Sequence, residues 1–202
     1  KSIYPNLDLQ VNTVYSFFTE KKLDEIYRFV KEKINPDNYV VALLRGTPRN
    51  QDAMWTSLSG YQRIMNEIER DVAKTFSYNS NPIQKIFQVL HIRSREIVLK
   101  ALLDKHMPIK CTAGKKLIVI GETGKVFACE LLGSEMGDLR KSDYNIKEIL
   151  YSPAAVKLRS FIKNKGCYCT WECAILNSLV FEPSTYPESL RLMRQLSSQH
   201  KM

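Results

Sequence analysis

Leu7, Leu9 and Val11 alternate with Asp8, Gln10 and Asn12, the period of a strand that buries one face. Behind Thr19, read as a cap, Leu23, Ile26, Tyr27, Val30 and Ile34 recur at i, i+3, i+4, i+7 and i+11, which predicts an amphipathic helix. Asn35-Pro36-Asp37 ends that pattern, and NYVVALLRGTP (38–48) offers a second strand whose unbroken apolar run suits burial on both faces. Strand, helix and strand with short connections predict a parallel pair, since the helix returns the chain to the end of the sheet where it started. A second amphipathic helix is expected in YQRIMNEIERDVAKTF (61–76), with Tyr61, Ile64, Met65, Ile68 and Val72 on one side. Asn79-Ser80-Asn81-Pro82 breaks the pattern; Asn81 then supplies a cap and Pro82 a first helical residue for a long helix to about Leu103, free of Gly and Pro beyond that start. Met107-Pro108 closes it, composition shifts, and a domain boundary is placed there, giving 1–107 and 108–202.

The second part has shorter elements. KKLIVIGETGKVFACELL (115–132) reads as two strands joined by a turn at Glu122-Thr123-Gly124. GDLRKSDYNIKEILYS (137–152) supplies a loop and a helix of one or two turns, Ser152-Pro153 caps another helix, and Gly166 terminates it. A final helix is expected after Pro187.

All five cysteines lie between Cys111 and Cys173, three of them in GCYCTWEC (166–173). Buried apolar cysteines are the bland account, but crowding beside Gly, Tyr and Trp favours metal ligation, because thiolates are the soft ligands that iron and zinc prefer and four of them close a tetrahedral site. A hairpin can present Cys111 before its first strand and Cys129 at the end of its second, close in space. Cys169 and Cys173 stand at i and i+4, so a helix starting at Thr170 would point both sulfurs to one side; Cys167 sits on the loop before them. Five thiols for four positions leave one spare.

No apolar run approaches a membrane span, and the N-terminus has no secretion signal, so a cytoplasmic address and reduced thiols are expected. The net charge of +9 comes from lysines and arginines scattered at helical surface spacing, which argues for solvated faces more than for nucleic-acid binding. The chain starts at Lys1 rather than Met and is read as a fragment.

Twelve residues separate Cys111 from Gly124 and four separate Gly124 from Cys129, and GDLRKSDYNIKEIL precedes a C-x-C-x3-C cluster. This pattern, over about residues 108–180, resembles the SPASM domain of radical S-adenosylmethionine enzymes. The strand-helix-strand portion, with VNT late in the first strand and LLRGTP late in the second, is similar to the last part of the open (β/α)6 barrel that precedes that domain. The resemblance implies an α/β chain: a partial (β/α) barrel fragment over 1–107, then a small α+β domain with a β-hairpin that binds an auxiliary iron–sulfur cluster. The full domain's second cysteine group is C-x2-C-x5-C-x3-C, whereas only three cysteines stand here, so one auxiliary 4Fe-4S cluster is implied, with zinc as a possible substitute. Cys111, Cys129 and Cys173 are the implied ligands, since the last cysteine of the motif pairs with the hairpin cysteines; i, i+4 spacing favours Cys169 over Cys167 as the fourth. The family's catalytic C-x3-C-x2-C site is absent from this sequence, so S-adenosylmethionine chemistry belongs to an intact parent acting on a peptide or carbohydrate-like substrate. A truncated barrel edge would invite self-association.

Asn12 and Arg45 fall near the C-terminal ends of the two parallel strands, the edge where such barrels bind cofactor and substrate, though a loop cap and an ion pair with Asp52 are simpler roles. His91 and His106 read as surface or helix-end residues, Glu130 and Glu172 as solvent-facing, and Tyr168 and Trp171 as shields for the metal centre. No catalytic residue is legible. The other readings are a stand-alone iron–sulfur or zinc module that docks a protein, and a basic nucleic-acid binder with structural zinc.

Overall fold

Two short strands running the same way organise the first unit of the computed structural model, which describes residues 7, 9–76, 81–164 and 166–198. Strand β1 (Gln10–Tyr15) and strand β2 (Asn38–Leu43) pair in parallel, from Gln10 opposite Asn38 to Tyr15 opposite Leu43. Val11, Thr13 and Tyr15 turn inward while Gln10, Asn12 and Val14 are exposed, the alternation read from the sequence. Burial of β2 on both faces is not found: Val41 and Leu43 are buried, but Tyr39, Val40 and Ala42 are only half-buried. Two strands give too little sheet to enclose both faces among the described residues.

The connection is α1 (Phe17–Glu20), then α2 (Leu23–Phe29), which continues into a π-helical turn at Val30–Ile34. Thr19 caps neither helix: Ser16 is the N-cap of α1 and Lys22 that of α2. The chain bends as soon as it leaves β1, so Thr19 already lies in the first turn, where its hydroxyl oxygen accepts the Ser16 N–H at 2.9 Å and its hydroxyl donates to the Val14 carbonyl at 2.7 Å. Leu23, Tyr27 and Val30 are buried, but the π turn inserts an extra residue per turn and leaves Ile34 exposed. Asn35 ends the helix in the left-handed region at φ 48°, its N–H bonded to the Val30 carbonyl at 2.8 Å. Helix α3 (Ser59–Phe76) buries Tyr61, Ile64, Met65 and Ile68, with Val72 half-buried.

The chain divides into two compact units, Lys1–Thr75 and Phe76–Met202, and not near residue 107. Helix α4 (Pro82–Asp104) belongs to the second because it packs on that unit's last two long helices, α7 (Glu172–Phe181) and α8 (Tyr186–Ser198), burying Val89, Ile92, Ile97, Val98 and Ala101. Its start is the one expected: the Asn81 side chain accepts the Ile83 N–H at 3.0 Å, with Pro82 in the first turn. Asn79 and Ser80 lie outside the described residues.

Three antiparallel strands in the order β3 (Val119–Ile120), β4 (Lys125–Phe127) and β5 (Glu135–Asp138) follow, with Gly124 at the β3–β4 turn. Helix α5 (Ile146–Leu150) and helix α6 (Pro153–Lys163) pack on β5. The Ser152 hydroxyl caps α6 by accepting the Ala155 N–H at 3.1 Å and donates to the Met136 carbonyl of β5 at 3.1 Å. The whole is an α/β chain with small sheets and no closed barrel among the described residues, and none of their helices is long and apolar enough to cross a membrane.

Candidate metal centre

Cys111 opens a tight turn that the β3–β4 hairpin holds in place. The Thr112 carbonyl accepts the N–H groups of Lys115 and Lys116, both at 3.0 Å, and Gly114, at φ 76°, gives its N–H to Leu117 at 2.7 Å and to Ala128 at 3.1 Å. Bonding to Ala128 ties this turn to the residue before Cys129, so two cysteines eighteen positions apart along the hairpin become neighbours. Cys129 is buried, and its sulfur accepts the Leu132 N–H at 3.4 Å, an i to i+3 contact of the kind that steadies a thiolate ligand.

Residues 166–171 run without regular structure before α7, and carry Cys167 and Cys169 onto the same core. That core contains Cys129, Ala113, Ala128, Met136 and Trp171, with Cys111, Cys167 and Cys169 half-buried against it. Burial pushes the Cys167 thiol up to about 11, and charge on Cys111, Cys169 and Cys129 adds to the rise, which places the other three sulfurs within electrostatic reach. Burial likewise raises Cys111, opposed by hydrogen bonds from the Ala113 N–H and the Ser178 hydroxyl and reinforced by Cys129. Cys111 and Cys167 therefore resist charging in this setting, because burial and the neighbouring cysteines both disfavour the thiolate. None of the five cysteines is in a disulfide.

The expected facing of Cys169 and Cys173 does not occur. Trp171 is the N-cap and α7 starts at Glu172, so Cys169 precedes the helix and only Cys173 lies on it, exposed in its first turn. Trp171 is buried among the core residues, whereas Tyr168 is 44% exposed and shields little. Glu130 is exposed and Glu172 half-buried. Asn12 points outward from β1, its side-chain oxygen accepting from Gln10 Nε2 at 2.9 Å; Arg45 is half-buried just past the end of β2. These two residues belong to the first unit and the cysteines to the second. His106 is exposed; His91 is half-buried on α4 and held below the usual imidazole range by burial and by Arg95.

Beyond the cysteines lies a polar group that spacing did not reveal. Thr112 N–H donates to Ser178 Oγ at 3.0 Å, the Thr112 hydroxyl donates to Asn177 Oδ1 at 2.6 Å, and Asn177 Nδ2 reaches the Lys116 carbonyl at 3.4 Å. Thr112, Asn177 and Ser178 lie on two segments more than sixty residues apart, and nothing local marks them. Thiols are the ligand type that iron–sulfur and zinc sites use, and four of them border this core, with the Leu132 N–H donating to the Cys129 sulfur. The thiols are neighbours without forming a closed cage, since no three metal-ligating side chains among the described residues converge tightly enough to hold an ion. Protein-family models, curated proteins and solved structures return no match to the chain.

Proposed function

We propose that the second unit holds one auxiliary 4Fe-4S cluster through Cys111, Cys129, Cys167 and Cys169, and that the chain serves a radical S-adenosylmethionine enzyme of the SPASM type acting on a peptide or carbohydrate-like substrate. The supporting observation is that four thiols from two distant segments border one core, with Cys167 within electrostatic reach of the other three. Such a cluster, when bound, supplies one-electron transfer. The chain's own groups do the rest: Cys111 and Cys129 are pre-placed by the hairpin, the Leu132 N–H steadies Cys129, and buried Trp171 keeps water from one side. In this reading the ligand set differs from the one the resemblance implied, with Cys167 in place of Cys173, because Cys173 is exposed while Cys167 is not. The first unit would be the late part of the barrel, with Arg45 just past the end of β2; Asn12 falls in the middle of β1, opposite Val40, rather than near the strand's C-terminal end as expected from the sequence.

Anaerobic reconstitution with iron and sulfide tests this, with about four of each expected per chain and a charge-transfer absorbance in the visible. Serine at 111, 129, 167 or 169 should abolish the cluster, and Cys173→Ser should retain it. Loss of the cluster in Cys173→Ser with retention in Cys167→Ser would restore the set implied by the resemblance, Cys111, Cys129, Cys169 and Cys173. A single zinc per chain that iron and sulfide do not displace would replace the cluster with a structural zinc site.

A further inference from the structure

One side of α4 carries Arg93, Glu96, Ile97 and Lys100, and one side of α8 carries Glu188, Arg191 and Leu192, both at the i, i+3, i+4 spacing that stacks side chains on a single helical face. The two faces line a cleft of about 430 Å³, with Pro108 and Ile109, just past the end of α4, completing its wall. That volume falls within the range of small-molecule sites. No cysteine is among the described residues that line it, so the cleft is separate from the candidate metal centre.

The charges around the cleft are not equivalent. Arg93 is only 15% exposed, and both carboxylates grip its guanidinium: Nη1 donates to Glu96 and Nη2 to Glu188, while Nε is buried. These three groups form a strut between α4 and α8, and Arg93 offsets much of the repulsion that the two carboxylates would exert on an incoming anion. Lys100 and Arg191 are exposed, and neither has an ion-pair partner among the described residues. Three cations against two carboxylates leave the lining one charge positive. Between these charges lies an apolar surface: Ile97 is buried, and Pro108, Ile109 and Leu192 are half-buried, so a ligand that covered them would remove further apolar area from water.

We propose that the cleft between α4 and α8 binds a small amphipathic carboxylate, its apolar body lying on Ile97, Pro108, Ile109 and Leu192 and its charge held by Arg191 and Lys100. A planar guanidinium matches a carboxylate with two parallel hydrogen bonds, and the lysine adds a point charge. A single negative charge suits a lining that is one charge positive, whereas a phosphate, carrying more, meets stronger repulsion from Glu96 and Glu188. The apolar wall selects a ligand with a hydrocarbon body over a bare inorganic anion. Nothing in this proposal depends on a bound metal.

The test titrates the full chain at pH 7 with octanoate, following the methyl signals of Ile97 and Ile109 by NMR and the heat of binding by calorimetry. Saturable shifts at both isoleucines are expected, with octan-1-ol, which has the same hydrocarbon chain and no charge, binding more weakly. Lys100→Gln and Arg191→Gln should each weaken octanoate roughly 2–5-fold, the range of a solvent-exposed ion pair, and added salt should weaken the wild type. Arg194→Gln removes the same charge from α8 outside the cleft and should leave the affinity unchanged. All three substituted side chains are exposed, so the variants should fold as the wild type does. Absence of a saturable shift at Ile97 and Ile109 overturns the proposal. Equal binding of octanoate and octan-1-ol does so too, as does equal weakening by Arg194→Gln and Arg191→Gln. Inorganic phosphate binding as tightly as octanoate would show that the apolar wall contributes nothing, and would also overturn it.

Discussion

Gly114 is where one atom decides the geometry around Cys111. Its φ of 76° lies in the left-handed region, and an added Cβ would meet Ala128 Cβ and Arg159 Cγ, each at 3.2 Å. Arg159 cannot retreat freely, since its guanidinium donates to the Leu150 carbonyl at 2.6 Å. Gly114→Ala should therefore cost about 1–2 kcal/mol from the backbone alone, read as a lower urea midpoint, and should displace Ala128 and hence Cys129. In the first unit, Asp71 gathers Tyr27, Lys31 and Lys74; burial works to raise its carboxyl, but hydrogen bonds from Lys31, Tyr27 and Lys74 outweigh this and hold it at about 2. A depressed carboxylate contributes stability above its unfolded value of 3.8 and loses it as pH falls toward 2. Acid titration of stability should show that loss, and Asp71→Asn should flatten it while costing on the order of 1 kcal/mol at neutral pH; an unchanged profile would count against the pairing. The five cysteines were legible as residues because crowded thiols are rare, but which of them border one core was not, because that depends on where α7 begins.

At the scale of elements, local chemistry was readable and long-range pairing was not. Asn81 with Pro82 and Ser152 with Pro153 announce helix starts because the cap and the first turn lie within four residues. Thr19 misled because the chain already turns helical at Phe17 behind Ser16, then breaks at Lys21-Lys22, so that Thr19 lies inside a separate short helix before α2. Strand β5, EMGD, has no apolar alternation, pairs with β4 across a register shift, and owes its existence to partners rather than to its own residues. Ser152 joins these elements: one hydroxyl both caps α6 and bonds β5. Ser152→Ala should cost about 1–2 kcal/mol and accelerate amide hydrogen exchange at the first turn of α6 and in β5 together; exchange confined to α6 would show that the bond to Met136 contributes nothing.

Over the whole molecule, the two units differ in how completely their sheets are covered. In the first, β1 and β2 each have one partner among the described residues, so each leaves an outer edge with backbone groups unserved by a strand. Val14 on β1 is 49% exposed, and Phe17 and Phe18, just beyond it, are 44% and 59% exposed. An exposed strand edge flanked by apolar side chains is a template for pairing with a second chain. The net charge of +9 works against that, since like-charged chains repel at low ionic strength. The balance should shift with salt: between about 0.01 M and 0.15 M the screening length falls from about 30 Å to about 8 Å, repulsion weakens, and apolar contact is untouched. Sedimentation velocity should show mass rising with both protein concentration and salt. Val14→Lys places a charge on the exposed face of β1 without entering the core, and should hold the chain monomeric under conditions where the wild type associates. A wild-type chain that stays monomeric throughout would mean that the exposed edge is closed in solution, and one whose association is insensitive to Val14→Lys would place the contact elsewhere on the surface.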